Sequence, residues 1–162
     1  KNARDGKNVY NIINTYSLVD WDMIKKLYQA NAAGVKVKAI IRGICSLIAG
    51  AAGLSENIEV ISIVDKFLEH ARIFVFCNDN DEKYYLSSAD WMTRNLDHRI
   101  EVACPIYDKE IQDEIRDILE IQMKDNVKAR IINEEQDNHY REPQTVRRVQ
   151  SQMELYKYYQ KK

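Results

Sequence analysis

Cysteine is scarce in this chain and nowhere paired. Cys45, Cys77 and Cys104 stand far apart with no C-x-x-C spacing, which argues against a disulfide framework or a zinc knuckle. That usage suits a reducing compartment. Proline occurs twice and glycine five times in 162 residues, too few for a collagenous or low-complexity protein. Apolar runs long enough to cross a bilayer are lacking, and the opening KNARDGKNVY is neither a signal peptide nor a transmembrane segment. An excess of one charge is lacking too: 24 basic residues face 25 acidic ones, for a formal net charge of −1. No global field therefore draws the molecule to nucleic acid or a membrane, and any anion site must be local. Walker A, Rossmann and zinc motifs are also missing. A bound nucleotide would have to be held by arginine and histidine instead of a glycine-rich loop. The chain starts without methionine and enters a strand-like run almost at once, as expected of a piece of something longer.

What is present fits one ordinary domain with its own core, 45% hydrophobic and 30% charged. Val9–Ile13 is β-prone. Asp20 can cap a helix from about Trp21 to Asn31, with Trp21, Ile24, Leu27 and Tyr28 on one face and Gly34 closing it. Val35–Ile41 alternates and then turns apolar, as a buried strand does. The following RGICSLIAGAAGLSEN has no helical period and reads as a functional loop between strands. Ile58–Val64 is the next strand, and Asp65–Glu69 is expected to make a single helical turn. Arg72–Cys77 and Lys83–Ser88 form a hairpin about NDND. Arg99–Cys104 reads as a strand stopped by Pro105. Lys109–Met123 is a helix with Ile111, Ile115, Ile118 and Leu119 as its buried stripe. Val127–Ile132 is a short strand, and roughly Gln144–Gln160 a helix with Val146, Val149, Met153 and Tyr156 on one face. Strands alternating with helices indicate an α/β fold.

Several residues carry chemistry. Arg42 follows an apolar strand and precedes a glycine, at the carboxyl end where α/β folds place ligand groups. Its guanidinium is either a fork of donors for phosphate or half of a structural ion pair. His70 precedes a strand, Arg72 follows two residues later, and Ser87-Ser88-Ala89-Asp90 comes after the next strand. Imidazole can attack phosphorus or move a proton near neutral pH, and a neighbouring cation can hold phosphoryl oxygens. Small hydroxyls such as Ser87 and Ser88 can complete the cradle. Asp90 either caps a turn at Trp91 or belongs to this group, and Arg94 either faces the anion or solvent. Glu56 and Asn57 cap or support the Arg42 loop. Arg147-Arg148 is a solvated face or the border of a polyanion channel. His98 and His139 read as solvated or structural, and Cys77 as a small buried hydrophobe.

The order His70-x-Arg72 followed by the serine turn resembles the H-x-K-x4-D motif of the phospholipase D superfamily, with arginine for the lysine and Cys77 at the aspartate position. The longer run IRGICSL…GLSENIEVISIVDKFLEHARIFVF…YYLSSADWMTRNLDHRIEVACPI closely resembles the carboxyl-terminal catalytic domain of bacterial polyphosphate kinase. The resemblance covers nearly the whole chain and is most specific between Val35 and Pro105. It implies a mixed sheet flanked by helices, residues 1–162 being the second of two phospholipase-D-like domains. It also implies reversible transfer of the terminal phosphate of ATP to inorganic polyphosphate through a phosphohistidine, with Mg²⁺. Arg42 matches the family's nucleotide-phosphate-binding arginine, and His70 its second motif histidine, which contacts ATP. The phosphorylated histidine and the magnesium-site arginines belong to the other phospholipase-D-like domain, so His70 is expected to be a proton donor/acceptor or phosphate ligand. Arg72, Ser87, Ser88 and Arg94 are candidate phosphate-binding support. Implied partners are ATP/ADP, polyphosphate, the enzyme's remaining domains and further copies of the full-length chain, in the cytoplasm, with membrane association left open and no nucleic acid. The chain departs from the family pattern at Asn14 and Tyr16, where lysine and asparagine are typical, and at Ile48–Ala52, which lacks the usual proline. The rival readings are a phosphodiesterase or nuclease that pairs two copies and uses His70 as nucleophile, and a non-catalytic anion-binding or oligomerisation module.

Overall fold

The computed structural model describes residue 3 and residues 5–142 and 147–162. Seven strands form one mixed sheet: β1 (Val9–Thr15), β2 (Lys36–Ile41), β3 (Ile58–Ile63), β4 (Ile73–Asn78), β5 (Asp81–Ser87), β6 (Ala103–Ile106) and β7 (Ala129–Ile132). Their spatial order is β6-β5-β4-β1-β2-β3-β7. The central β1, β2 and β3 run parallel, and the pairs outside them are antiparallel. The helices are α1 (Trp21–Ala32), α2 (Thr93–His98), α3 (Lys109–Met123) and α4 (Ser151–Gln160).

The strand period sorts side chains onto two faces. Val37, Ala39 and Ile41 of β2, with Ile58 and Val60 of β3 and Phe74 of β4, pack against Ile24 and Leu27 of α1. Ile40, Ile61, Ile63, Ile73 and Val75 turn the other way, onto Ile115 and Leu119 of α3. Residues 42–57 make the crossover from β2 to β3 without a helix. Leu47, Ala49 and Ala51 are buried, and the buried Ser55 hydroxyl accepts from the Ala51 N–H at 3.1 Å, which pins the loop despite its missing proline. Asp20 caps α1 as expected, accepting from the Met23 N–H at 3.0 Å. Asp79 and Asn80, both at φ 63°, make the two-residue turn between β4 and β5.

Four expectations need correcting. Residues 65–69 are irregular, without a helical turn; the side chains of Gln150 and Gln152, at the start of α4, hold them. Pro105 lies inside β6 instead of stopping it, tolerated because β6 is an edge strand, and residues 99–102 are not strand. Ile111 is 48% exposed, so the buried stripe of α3 is narrower than its sequence period suggests. The last helix starts at Ser151; residues 147–150 are not helical, and 144–146 lie outside the described residues. Arg147 and Arg148 therefore precede the helix.

Asp125 explains where α4 starts. Its side chain is fully buried and accepts from the backbone N–H groups of Val127, Lys128 and Ala129 at 2.7–3.0 Å, and of Ser151 at 2.7 Å. One carboxylate thus fixes the approach to β7 and the first turn of α4. Burial pushes its pKa up, but the donors from Ser151, Lys128 and Val127 outweigh this and hold it below the ordinary value. Asp125→Ala leaves four N–H groups, two of them fully buried, without that acceptor and is expected to cost about 3 kcal/mol. Urea unfolding should show a lower midpoint at unchanged slope.

Candidate active site

The topology gathers the chemistry at one end of the sheet. Parallel β1, β2 and β3 all finish there, and β4 starts there because Asn14 of β1 pairs with Ile73. β5 returns to the same end, where the Ser87 N–H donates to the Arg72 carbonyl at 2.9 Å. Arg42, His70, Arg72 and Ser87–Asp90, far apart in sequence, are brought to one edge.

Asp90 ties this edge together. The nearly buried carboxylate receives Nε and Nη2 of Arg72 at 3.1 and 3.0 Å, a forked pair. It also accepts the Thr15 hydroxyl at 2.9 Å and the backbone N–H groups of Tyr16 and Ser17 at 2.9 and 3.3 Å. Burial raises its pKa, but Arg72 and Thr15 more than offset this and hold the carboxyl below its usual value. Asp90 is no helix cap; Met92 holds the cap position of α2 and makes no side-chain capping bond. Arg72 also donates Nη1 to the His70 carbonyl at 3.2 Å, so three of its donors serve to shape the edge. Ser87 and Ser88 likewise serve their own turn: Ser87 Oγ accepts from the Ala89 N–H at 3.0 Å, and Ser88 Oγ accepts from the Val102 N–H and donates to Glu101. Arg94 lies exposed on α2. Glu56 and Asn57 serve α1, bonded to Asn31 at 3.3 and 2.8 Å. His98 and His139 are exposed, and Cys77 is buried.

Arg42 is different. It lines a narrow cavity with Asn14, Thr15, Tyr16, Glu69 and Gln122 among its walls. Its Nη1 is buried and has no hydrogen-bond partner among the described residues. A buried guanidinium nitrogen without an acceptor costs about 1–3 kcal/mol, so Nη1 calls for an acceptor that the described residues do not supply. Glu69 and Ala71, the neighbours of His70, line the same cavity. The exposed His70 ring meets the Tyr16 ring edge-on, with centroids 4.8 Å apart. Gly43 permits this approach. Its N–H donates to the Tyr16 carbonyl at 2.6 Å, and a Cβ there would sit 2.8 Å from Tyr16 Cε1 and 2.9 Å from that carbonyl. Glu69, Gln122 and Gln152 were missed in sequence, where isolated polar residues carry no periodic or motif signal.

The donor set does not fit magnesium. No group of three or more His, Cys, Asp or Glu side chains that could hold a metal occurs among the described residues. The carboxylate at the cavity, Glu69, is already bonded to Gln122 and Gln152. A guanidinium and an imidazole suit an anion.

Asp90→Asn is expected to cost about 3 kcal/mol at neutral pH by leaving Arg72 without its charged partner. Because the folded pKa is depressed, the carboxylate's contribution is present above its unfolded pKa and lost as pH falls through the folded one. The stability gap between wild type and variant, measured by thermal unfolding in a pH series, should therefore shrink in acid.

The sequence model of the family described as "Polyphosphate kinase C-terminal domain 2" matches residues 1–152. A polyphosphate kinase of Vibrio cholerae is 52% identical over 97% of this chain, and one of Escherichia coli K12 is 45% identical over 97%. The chain spans only 22% and 23% of those two proteins. The crystal structure of polyphosphate kinase from Porphyromonas gingivalis superposes with a TM-score of 0.95 at 42% identity, over 99% of this chain and 24% of that one. Nuc from Salmonella typhimurium, a phospholipase D family member, has a TM-score of 0.59 at 17% identity over 81% of this chain and 86% of its own, a likeness of fold alone. No described helix is long and apolar enough to cross a membrane. With a match across nearly its full length and a phospholipase-D-like sheet, the chain belongs to the polyphosphate kinase C-terminal domain 2 family.

Proposed function

We propose that this domain is the second phospholipase-D-like domain of a longer polyphosphate kinase and forms the nucleotide-phosphate wall of its active site. The reaction is reversible transfer of the terminal phosphate of ATP to inorganic polyphosphate, through a phosphohistidine carried by another domain. The observation that carries this reading is the buried, unpartnered Nη1 of Arg42 in the cavity beside Glu69 and Ala71. Phosphoryl transfer spreads charge over equatorial oxygens, and catalysis rests on positioning and charge stabilisation. Arg42 supplies the fork for those oxygens. His70 stands at the same edge as proton donor/acceptor or phosphate ligand, steadied by Tyr16 and by Arg72 on its carbonyl. Mg²⁺ neutralises phosphate charge in such reactions and is held by groups outside this chain. The full-length enzyme works in the cytoplasm as an oligomer.

The test uses the full-length enzyme. His70→Ala is expected to reduce ATP-dependent polyphosphate synthesis by about 100-fold or more, and Arg42→Ala to raise the KM for ATP. Near-normal synthesis in His70→Ala would remove His70 from the mechanism. The isolated domain is expected to make no polyphosphate; synthesis by it would overturn the division of labour. ATP-independent hydrolysis of a generic phosphodiester by the full-length protein would favour the phosphodiesterase reading instead.

A further inference from the structure

The segment bearing His70 has little apolar anchorage of its own. Between β3 and β4, Val64, Phe67 and Leu68 are 54%, 52% and 67% exposed. Hydrogen bonds to glutamine side chains hold it. The Phe67 N–H donates to Gln152 Oε1 and Gln152 Nε2 donates to the Phe67 carbonyl, both at 2.9 Å, so the amide grips the backbone as a strand neighbour would. The same Nε2 lies 3.1 Å from Glu69 Oε2, and Gln122 Nε2 lies 3.4 Å from Glu69 Oε1. Gln122 is oriented in turn by Asn14, whose Nδ2 donates to its Oε1 at 2.9 Å. Gln152 and Gln122 are 7% and 3% exposed, so water competes weakly for these bonds. Gln150 adds a bond to Asp65 at 2.7 Å.

Glu69 gives this grip a second consequence. It lines a cavity with Arg42, whose buried Nη1 has no partner among the described residues. A carboxylate is the natural bidentate partner of a guanidinium, and a Glu69–Arg42 pair would fill the place of a phosphoryl group. The two glutamine amides bond Glu69 instead.

We propose that Gln152 is a positioning residue for phosphoryl transfer: its amide fixes the backbone before His70 and, with Gln122, restrains Glu69 from closing on Arg42. This rests on the proposed roles of Arg42 and His70, which the experiment tests separately. The grip acts on two kinetic constants in different ways. A displaced His70 lowers kcat, because orientation is lost at the reacting centre. A freed Glu69 raises the KM for ATP, because it competes for the guanidinium.

In the full-length enzyme, Gln152→Leu is expected to lower kcat by about tenfold or more and to raise the KM for ATP severalfold. Adding Glu69→Gln to Gln152→Leu should return KM close to the wild-type value while kcat stays low, a split that general destabilisation would not produce. Hydrogen exchange should rise at residues 65–71 in Gln152→Leu while β1 and β4 stay protected, which also verifies that the variant folds. Gln152→Asn, which keeps an amide but is one methylene too short, should show the same exchange pattern. Tyr159→Phe, which removes the Tyr159–Glu114 bond between α4 and α3, should leave kcat within about twofold of wild type, as loosened helix docking alone does not reach His70. If His70→Ala abolishes synthesis but Gln152→Leu leaves kcat unchanged, the positioning role is wrong while the site reading stands. If Glu69→Gln fails to restore KM, Glu69 does not compete for Arg42. If His70→Ala itself retains synthesis, the site reading fails whatever Gln152 does.

Discussion

The carboxylate of Asp90 receives a forked guanidinium, a hydroxyl and two backbone amides from two other segments of the chain, and the shape of the site's edge depends on that convergence. The amides fix the exit of β1, the guanidinium fixes the approach to β4, and Asp90 itself follows β5. Each segment alone would be an irregular strand end with polar groups to satisfy. Joined through one buried carboxylate, they form a fixed rim. The pair also neutralises Arg72, so a positive group placed next to His70 for structural reasons does not set the local field.

That cancellation makes the charge of Arg42 count. The chain is nearly neutral overall, and many surface cations sit against carboxylates, as in Lys83–Asp81, Lys124–Glu120 and Lys157–Glu154. Exposed pairs of this kind contribute little to stability and are screened by salt. A partly buried guanidinium with an open donor is screened far less. An anion that reached this strand's carboxyl end would therefore meet a charge less screened than those paired at the surface.

Elements with a clear period or a capping signal were legible in the sequence. The apolar period of Lys109–Met123 indicates a helix at the observed bounds, and NDND marks the hairpin turn because it tolerates positive φ. The unread parts depended on tertiary partners. Asp65–Glu69 had a short helical pattern, but Gln150 and Gln152 offered its backbone and side chains better partners than an isolated turn could. The start of α4 was misplaced because Asp125, more than twenty residues earlier, selects Ser151. At the site, order along the chain pointed to Arg42 and His70, and the fold brings both to one edge. The commitments of Arg72, Ser87 and Ser88 to the rim could not be read, since the same donors serve a phosphate or a neighbouring carboxylate equally well.

Arg72 and Arg42 stand at one edge, the first guanidinium paired with a carboxylate and the second with a nitrogen that has no partner among the described residues. Both lie near a carboxylate, Asp90 for one and Glu69 for the other. Asp90 is free to pair because the backbone amides that also bind it orient it toward Arg72. Glu69 is engaged from the opposite side by amides from α3 and α4. At an effective dielectric of about 20, moving a unit negative charge from roughly 4 Å to roughly 8 Å from a phosphoryl oxygen relieves about 2 kcal/mol of repulsion. Screening by salt and water would reduce this to the severalfold change expected in the KM for ATP, an effect of two neutral side chains with no added cation. For Arg72 and Arg42, the groups that hold the neighbouring carboxylate differ, and with them the pairing of the guanidinium.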